Sequence, residues 1–290
     1  MAVKKANLEN ILIDAFVYTV LILFCIAILY PFWSMLMRSL SANEFASGIL
    51  LLPASFTLDS YLNVFRQRGI SMNYMNTIIR TVSASVLCVS VTFMTAYVLS
   101  KKRMPFNRVM TGMVVFTMFF GGGLIPEYLL MLNLKLVDSR LVLILPAIVN
   151  GFYIMVTRNF IYSIPAELEE SAFLDGAGEF TITWKIFMPL SLPIIATITL
   201  WCAVAQWNEW FHAMIYIRDS NKQVMQVILR RMLLDSQRLS MDGELPANVR
   251  LTPEAVRTAT MFVAIGPIII LYPFVQKYFI KGLTAGAVKG

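Results

Sequence analysis

Six apolar runs, each about as long as the hydrocarbon core of a bilayer is thick, set the first limit on how this chain can fold. An α-helix rises 1.5 Å per residue, so about 20 apolar residues cross roughly 30 Å of hydrocarbon. The runs extend from Ala15 to Met37, Asn76 to Ser100, Val109 to Leu132, Leu141 to Phe160, Leu190 to Ile215 and Thr258 to Phe279. Backbone polar groups in hydrocarbon must be paired within the chain, and segments of this length achieve that as helices. The sequence therefore predicts an all-α polytopic membrane protein of about six transmembrane helices, built as one domain over residues 1–290.

Composition excludes several other classes. Hydrophobic residues make up 58% of the chain and charged ones 14%, against about 45–50% and about 25% in soluble domains. The net charge of +7 invites a nucleic-acid partner, but the positive charges cluster at the ends of apolar runs, where membrane proteins keep them. No basic face interleaved with aromatics is present, so the expected environment is a lipid bilayer and no nucleic acid is expected. Cys25, Cys88 and Cys202 each lie inside an apolar run and match neither a disulfide framework nor a metal-ligand spacing. Lys4 and Lys5 precede an apolar stretch as in a signal peptide. Phe16 to Met37 nevertheless stays apolar without a small-residue cleavage site, which reads as a retained first helix.

An even number of spans puts both termini on one side. The cluster Lys101-Lys102-Arg103 with Arg108, and the tail residues Lys277, Lys281 and Lys289, point to the cytosol for that side. Charge alone is divided: 11 of the 24 Lys and Arg fall on that side and 13 on the other, seven of them between 217 and 257. Long loops weigh less in the rule. Pro31, Pro126, Pro146, Pro193, Pro267 and Pro273 fall in or at the ends of the runs, and Gly121-Gly122-Gly123 interrupts the third. Neighbouring helices can satisfy the backbone groups such residues free, so these positions mark kinks. Two segments lie on the far side: Ser39 to Asn73, and an extracytoplasmic loop over 217–257 in which Met225 to Gln237 reads as a helix. Neither is long enough to form a separate enzyme domain.

The loop over 161–189 is the polar exception. Ser163 is placed to cap a helix whose first turns carry Pro165, Glu167, Glu169 and Glu170, with negative charge at the positive helix end. Leu168 and Ala172 share a face four residues apart, and the small pair Ser171-Ala172 lets another backbone approach. Gly176 and Gly178 then break the helix, and Phe180 to Phe187 restarts it toward the membrane. The product is a short stiff helix bearing acid with apolar residues beside it, a shape suited to a groove in a second protein. An ordinary acidic connector is the alternative.

Residues 170–189, ESAFLDGAGEFTITWKIFMP, closely resemble the EAA loop of ABC-importer permeases, E-A-A-x3-G-x9-I-x-L-P. Glu170, Gly176, Ile186 and Pro189 are in register, with Ser171 for Ala and Met188 for Leu. The run Arg158-Asn159-Phe160-Ile161-Tyr162-Ser163-Ile164-Pro165, the run Trp207-Asn208-Glu209-Trp210 and the tail from Lys281 to Gly290 resemble the maltose-type carbohydrate permeases. The resemblance implies a type I importer fold in the bacterial inner membrane, with N- and C-termini in the cytoplasm. It further implies a heterodimer with a second, homologous permease, two ATP-binding subunits and an extracytoplasmic solute-binding protein. Glu167, Glu170, Ser171, Ala172, Phe173, Asp175 and Gly176 would couple to the ATPase, with Glu170 facing a basic residue there. No G-x4-GK[ST] phosphate loop occurs in this chain, so ATP and magnesium belong to the partner subunits. No cofactor and no catalytic residue are expected here.

Polar groups in the spans are costly and usually face a cavity. Gln206, Asn208 and Glu209 with Trp207 and Trp210 combine aromatic faces for pyranose rings with amides and a carboxylate for hydroxyls; an interfacial aromatic belt is the equal alternative. Asn150, Tyr153 and Glu127 are lesser candidates, with helix–helix hydrogen bonding the competing role. His212, the single histidine, has no partner spacing for catalysis or metal and is assigned no role. Seven Lys/Arg against five Asp/Glu over 217–257 would suit an acidic partner surface or an anionic saccharide such as a uronate oligomer. The competing functions are an ABC permease for a non-sugar solute, a secondary carrier, which would show repeated halves, and a membrane enzyme, which would need interfacial acid/base clusters.

Overall fold

The computed structural model describes residues 8–41, 51–53, 55–66, 69–101, 103–242 and 254–270. Among them the chain is helical, with one isolated antiparallel bridge, Ser41 to Phe56. Helices α1 (Leu8–Ser39), α2 (Asp59–Arg66), α3 (Ile70–Ser100), α4 (Asn107–Phe119), α5 (Leu124–Asn133), α6 (Gly151–Tyr162) and α7 (Glu167–Leu174) come first. They are followed by α8 (Glu179–Leu190), whose middle, Ile182–Phe187, is π-helical, then α9 (Leu192–Asn208), α10 (Phe211–Tyr216) and α11 (Met225–Asp242). A last helix, α12, covers 254–270. The tail from Lys281, Lys102 and the end of the sixth apolar run lie outside the described residues.

Among the described residues three segments are long and apolar enough to cross a membrane: Ile11–Ser39, Ile70–Ser100 and Arg140–Tyr162, the last made of two 3-10 turns, Arg140–Leu143 and Leu145–Ala147, followed by α6. The third and fifth runs of the sequence are not straight. Helices α4 and α5 meet at 111°, and α8 and α9 at 75°. The first break falls on Gly121-Gly122-Gly123, where Gly123 has φ 85, a backbone region only glycine enters freely. Pro126 then sits in the first turn of α5. The second break falls at Ser191, ahead of Pro193 in the first turn of α9. A third break, at Glu209-Trp210, stops the fifth run short of Ile215. Counting each bent pair as one span gives up to five among the described residues.

The chain divides into two compact units, Met1–Gln67 with Arg231–Ala264 and Arg68–Arg230 with Ile265–Gly290. In the first, α1 leaves Phe16, Phe24 and Phe32 exposed, which suits hydrocarbon or another subunit and not water. Arg38 at its end pairs with Glu254, and the Ser39 hydroxyl meets the Tyr61 hydroxyl at 2.8 Å.

In the second unit α3 is the central helix, packed against α9 and α6. Its buried stripe runs Asn73, Thr77, Arg80, Ala84, Cys88 and Thr92, at the three- and four-residue spacing of one helical face. Small and weakly polar side chains on that stripe let helices approach closely in a membrane. Gly151 serves the same end: an added Cβ would lie 2.7 Å from Met118 Cγ and 3.0 Å from the Val114 carbonyl oxygen, so α6 crosses α4 at backbone distance.

Far from Lys101, the segment after α10 is latched to this core. Asn76 donates to the carbonyls of Asn221 at 2.7 Å and Gln223 at 3.0 Å, and the Met225 amide donates to Thr77 Oγ1 at 2.8 Å. The Asp138 carboxylate accepts from the amides of Arg218 and Asp219 and pairs with Lys222 at 3.2 Å. Helix α11 contains the expected stretch Met225 to Gln237 and continues to Asp242.

Candidate functional site

Helix α7 is eight residues long, about 12 Å. It starts after Pro165 and Ala166, whose carbonyls accept the first amides, and Glu167, Glu169 and Glu170 occupy its first turn. Their charge complements the positive helix end. Ser163 does not cap it, contrary to expectation: its hydroxyl donates to the Phe160 carbonyl at 2.7 Å and so belongs to the end of α6. The competing acceptor, a carbonyl freed at that end, lies nearer in sequence.

The end of α7 is a Schellman turn. The Ala177 amide donates to the Ala172 carbonyl at 2.9 Å and the Gly176 amide to Phe173 at 3.0 Å, with Gly176 at φ 79. This closing arrangement favours glycine at the left-handed position, which explains the glycine six residues after Glu170.

The two faces of α7 differ. Ala172 is buried in a cluster with Tyr97, Leu99, Ile161, Ile182 and Phe187. Its small side chain thus lets the chain's own helices approach closely. Glu167, Glu170, Ser171 and Leu174, at i, i+3, i+4 and i+7, are exposed on the other face, with Phe173 and Asp175 beside them. Leu174 is 90% exposed and Phe173 43%. This acidic ridge flanked by two large apolar groups can fill a groove with an apolar floor and a basic rim.

One residue that sequence reasoning left among the membrane-flanking charges sits under this helix. Lys101, just past the end of α3, pairs with Glu169 and stands 3.6 Å from Glu179. Its ammonium lies 4.3 Å from the Tyr97 ring centroid, and Tyr97 donates to Glu179 at 3.1 Å. Burial pulls this ammonium down, but bonds to Glu169 and Tyr97 outweigh it and hold Lys101 above its ordinary value. Nearby, Arg158 donates to the Leu99 carbonyl at 2.8 Å and Asn107 to those of Leu99 and Lys101, satisfying the carbonyls that end α3.

The residues proposed for a substrate path lie at the start of α6, for Asn150 and Tyr153, and at the end of α9, for Gln206 to Glu209. Asn150 is exposed and caps α6 by accepting from the Tyr153 amide at 3.1 Å. Tyr153 lies 6.0 Å from Trp201, which stacks on Phe152 at 5.8 Å. Trp201 and Phe152 carry no signal in the sequence, being lone aromatics in apolar runs. Trp207 is buried and packs on Tyr74 at 6.0 Å. Asn208 donates to the Val204 carbonyl at 2.9 Å, while Gln206 is half-buried with Oε1 unpaired. Glu209 accepts from the His212 amide at 3.0 Å and lies 3.2 Å from its Nδ1. His212, assigned no role, also stacks on Tyr216. Arg80 is 5% exposed and donates to the Glu209 carbonyl at 2.9 Å. Trp210 lies beneath the Arg230 guanidinium at 3.5 Å.

A set of apolar helices with a short acidic helix exposed between two of them defines a membrane protein. The chain belongs to the family of binding-protein-dependent transport system inner membrane components, whose model matches residues 106–285. It is 35% identical to the polygalacturonan/rhamnogalacturonan transport system permease protein YtcP of Bacillus subtilis, covering 98% of this chain and 100% of that one. It is 28% identical to the melibiose/raffinose/stachyose import permease protein MelC of the same organism, over 90% and 91% of the two chains. Among solved structures, a chain of a bacterial ABC transporter involved in the import of the acidic polysaccharide alginate matches with a TM-score of 0.84. That chain is 33% identical, with 94% of this chain and 99% of that one covered. The chain is thus an ABC importer permease, a transport subunit with the type I fold, expected from the EAA spacing and shown here across nearly its whole length.

Proposed function

We propose that this permease forms half of the pathway of an ATP-driven importer for acidic oligosaccharides, uronate-bearing chains above all. The observation that carries the reading is a pair of near-full-length matches, one to a polygalacturonan/rhamnogalacturonan permease at 35% identity and one to an importer of the acidic polysaccharide alginate at 33%. Exposed cations on the second unit, Lys135, Arg140, Arg218 and Arg230, support it by complementing an anionic chain or an acidic binding protein.

A second, homologous permease completes the pathway. Two ATP-hydrolysing subunits, which supply what this chain lacks, grip the ridge of Glu167, Glu170, Ser171 and Leu174 on the cytoplasmic side, where both termini also lie. Closure of the ATPase pair draws the two coupling helices together and turns the bundles so that their shared cavity opens toward the binding protein.

The test is uptake by vesicles holding the complete transporter and its binding protein. Labelled oligogalacturonate should accumulate with ATP, in preference to a neutral galactoside of equal length, and should survive an uncoupler. Preference for the neutral sugar would move the substrate class toward that of the melibiose relative. Uptake that persists with a dead ATPase and collapses with an uncoupler would identify a secondary carrier.

A further inference from the structure

We propose that Lys101 is a positioning residue of the transport cycle, the strut through which displacement of α7 is delivered into α3. The inference rests on the importer reading above and concerns how that importer is geared. Lys101 joins the two sides of the turn at Gly176 to one point: Glu169 precedes the turn, Glu179 follows it, and a single ammonium serves both carboxylates. Tyr97 closes the knot by donating to Glu179 beneath the same ammonium, and the Phe187 ring lies 5.4 Å away.

The lysine is itself fixed. Its side chain is 19% exposed, its amide donates to the Val98 carbonyl at 3.2 Å and its carbonyl accepts from Asn107 at 3.0 Å. Beside this ion pair, α7 and α3 share an apolar cluster, to which Ala172 contributes from one and Tyr97 and Leu99 from the other. Apolar contacts are non-directional and permit sliding, whereas a cation held between carboxylates fixes register. Without Lys101, α7 can shift under load while α3 stays behind.

What α3 carries reaches the other end of the bundle. It is one uninterrupted helix of 31 residues, about 46 Å long. Asn76, Thr77 and Arg80 near its start hold Asn221, Gln223, Met225 and Glu209. A rigid element bonded at both ends transmits displacement; a chain of loose contacts dissipates it.

The experiment measures ATP hydrolysed per oligosaccharide delivered by the complete transporter in proteoliposomes. Lys101→Met should leave the ATPase subunits bound and hydrolysing while uptake falls, raising that ratio about tenfold. Lys101→Arg should restore it to within about twofold, because the guanidinium spans the same two carboxylates. Glu169→Gln should raise the ratio alone and add little to Lys101→Met, as for two ends of one contact. Should Lys101→Met fail to assemble, Glu169→Gln decides. A wild-type ratio in Lys101→Met or Glu169→Gln overturns the proposal, as does failure of Lys101→Arg to rescue. A wild-type transporter that neither hydrolyses ATP in response to binding protein nor imports would overturn the importer reading and the proposal with it.

Discussion

The amide of Ala177 donates to the carbonyl of Ala172 at 2.9 Å, and this bond closes α7 over Gly176, which carries φ 79. Nothing lies within 4 Å of a Cβ added there, so the glycine is required by backbone conformation and not by space. A side chain at that φ costs about 1–2 kcal/mol. Gly176→Ala should fray the last turn and lower uptake per inserted molecule, with membrane insertion unchanged. Gly176→Asn should retain more, since asparagine tolerates the left-handed region. Wild-type uptake by the alanine variant would contradict this.

Leu174 and Glu170 stand on the exposed ridge of α7, and their substitution should leave the bundle intact. Moving a leucine side chain from water into an apolar groove is worth about 1.5–3 kcal/mol. Leu174→Asp should therefore weaken association with the ATPase subunits about tenfold or more, read as co-purification yield. Glu170→Lys should do the same by reversing the charge presented to a basic rim. Undiminished co-purification of both would mean that another surface is gripped.

Gly151→Ala should separate α6 from α4. The new Cβ would meet the Val114 carbonyl oxygen at 3.0 Å and Met118 Cγ at 2.7 Å, and the carbonyl cannot retreat as a side chain can. Overpacking of this kind costs about 1–3 kcal/mol, so the variant should unfold at lower temperature in detergent. An unchanged midpoint would show that the helices part freely.

The Asp138 carboxyl is held below its ordinary 3.8, first by the Asp219 amide, which outweighs burial, and further by the Arg218 amide and Lys222. A lowered folded value means the contact stabilises the loop fully above the ordinary value. It is lost as the pH falls below that value toward the lowered one. Protection of the Arg218 and Asp219 amides from hydrogen exchange, corrected for intrinsic rates, should hold at neutral pH and fail only in that acidic window. Asp138→Asn should lose protection without the acid step.

Helix α7 was legible because its signals are local. Acid at a helix start, a small pair, a glycine at the closing turn and a proline where the membrane resumes all lie within twenty residues of one another. Helix α11 was legible for the same reason. The broken third span was readable from Gly121-Gly122-Gly123, but the break at Glu209-Trp210 carries no glycine or proline and is held by Arg80, 129 residues away in sequence. Lys101 was invisible as a strut because Glu169 and Glu179 reach it only through folding, and a lysine after an apolar run reads as a membrane-flanking charge. The sequence leaves Trp207 open between a sugar platform and an interfacial belt, because its contact with Tyr74 of α3 arises only on folding. Ser163 was assigned to the wrong helix, since a serine between two helices can serve either.

The account stands on α7 being seated in an ATP-hydrolysing subunit, and Phe173, exposed beside the acidic ridge, offers the shortest route to testing it. In a transporter whose Cys25, Cys88 and Cys202 are replaced by serine or alanine, Phe173→Cys carrying a short thiol cross-linker should capture the ATPase subunit. The yield should change when ATP closes that pair. Capture of no nucleotide-binding subunit at any nucleotide state, in a complex that still imports, would contradict the account.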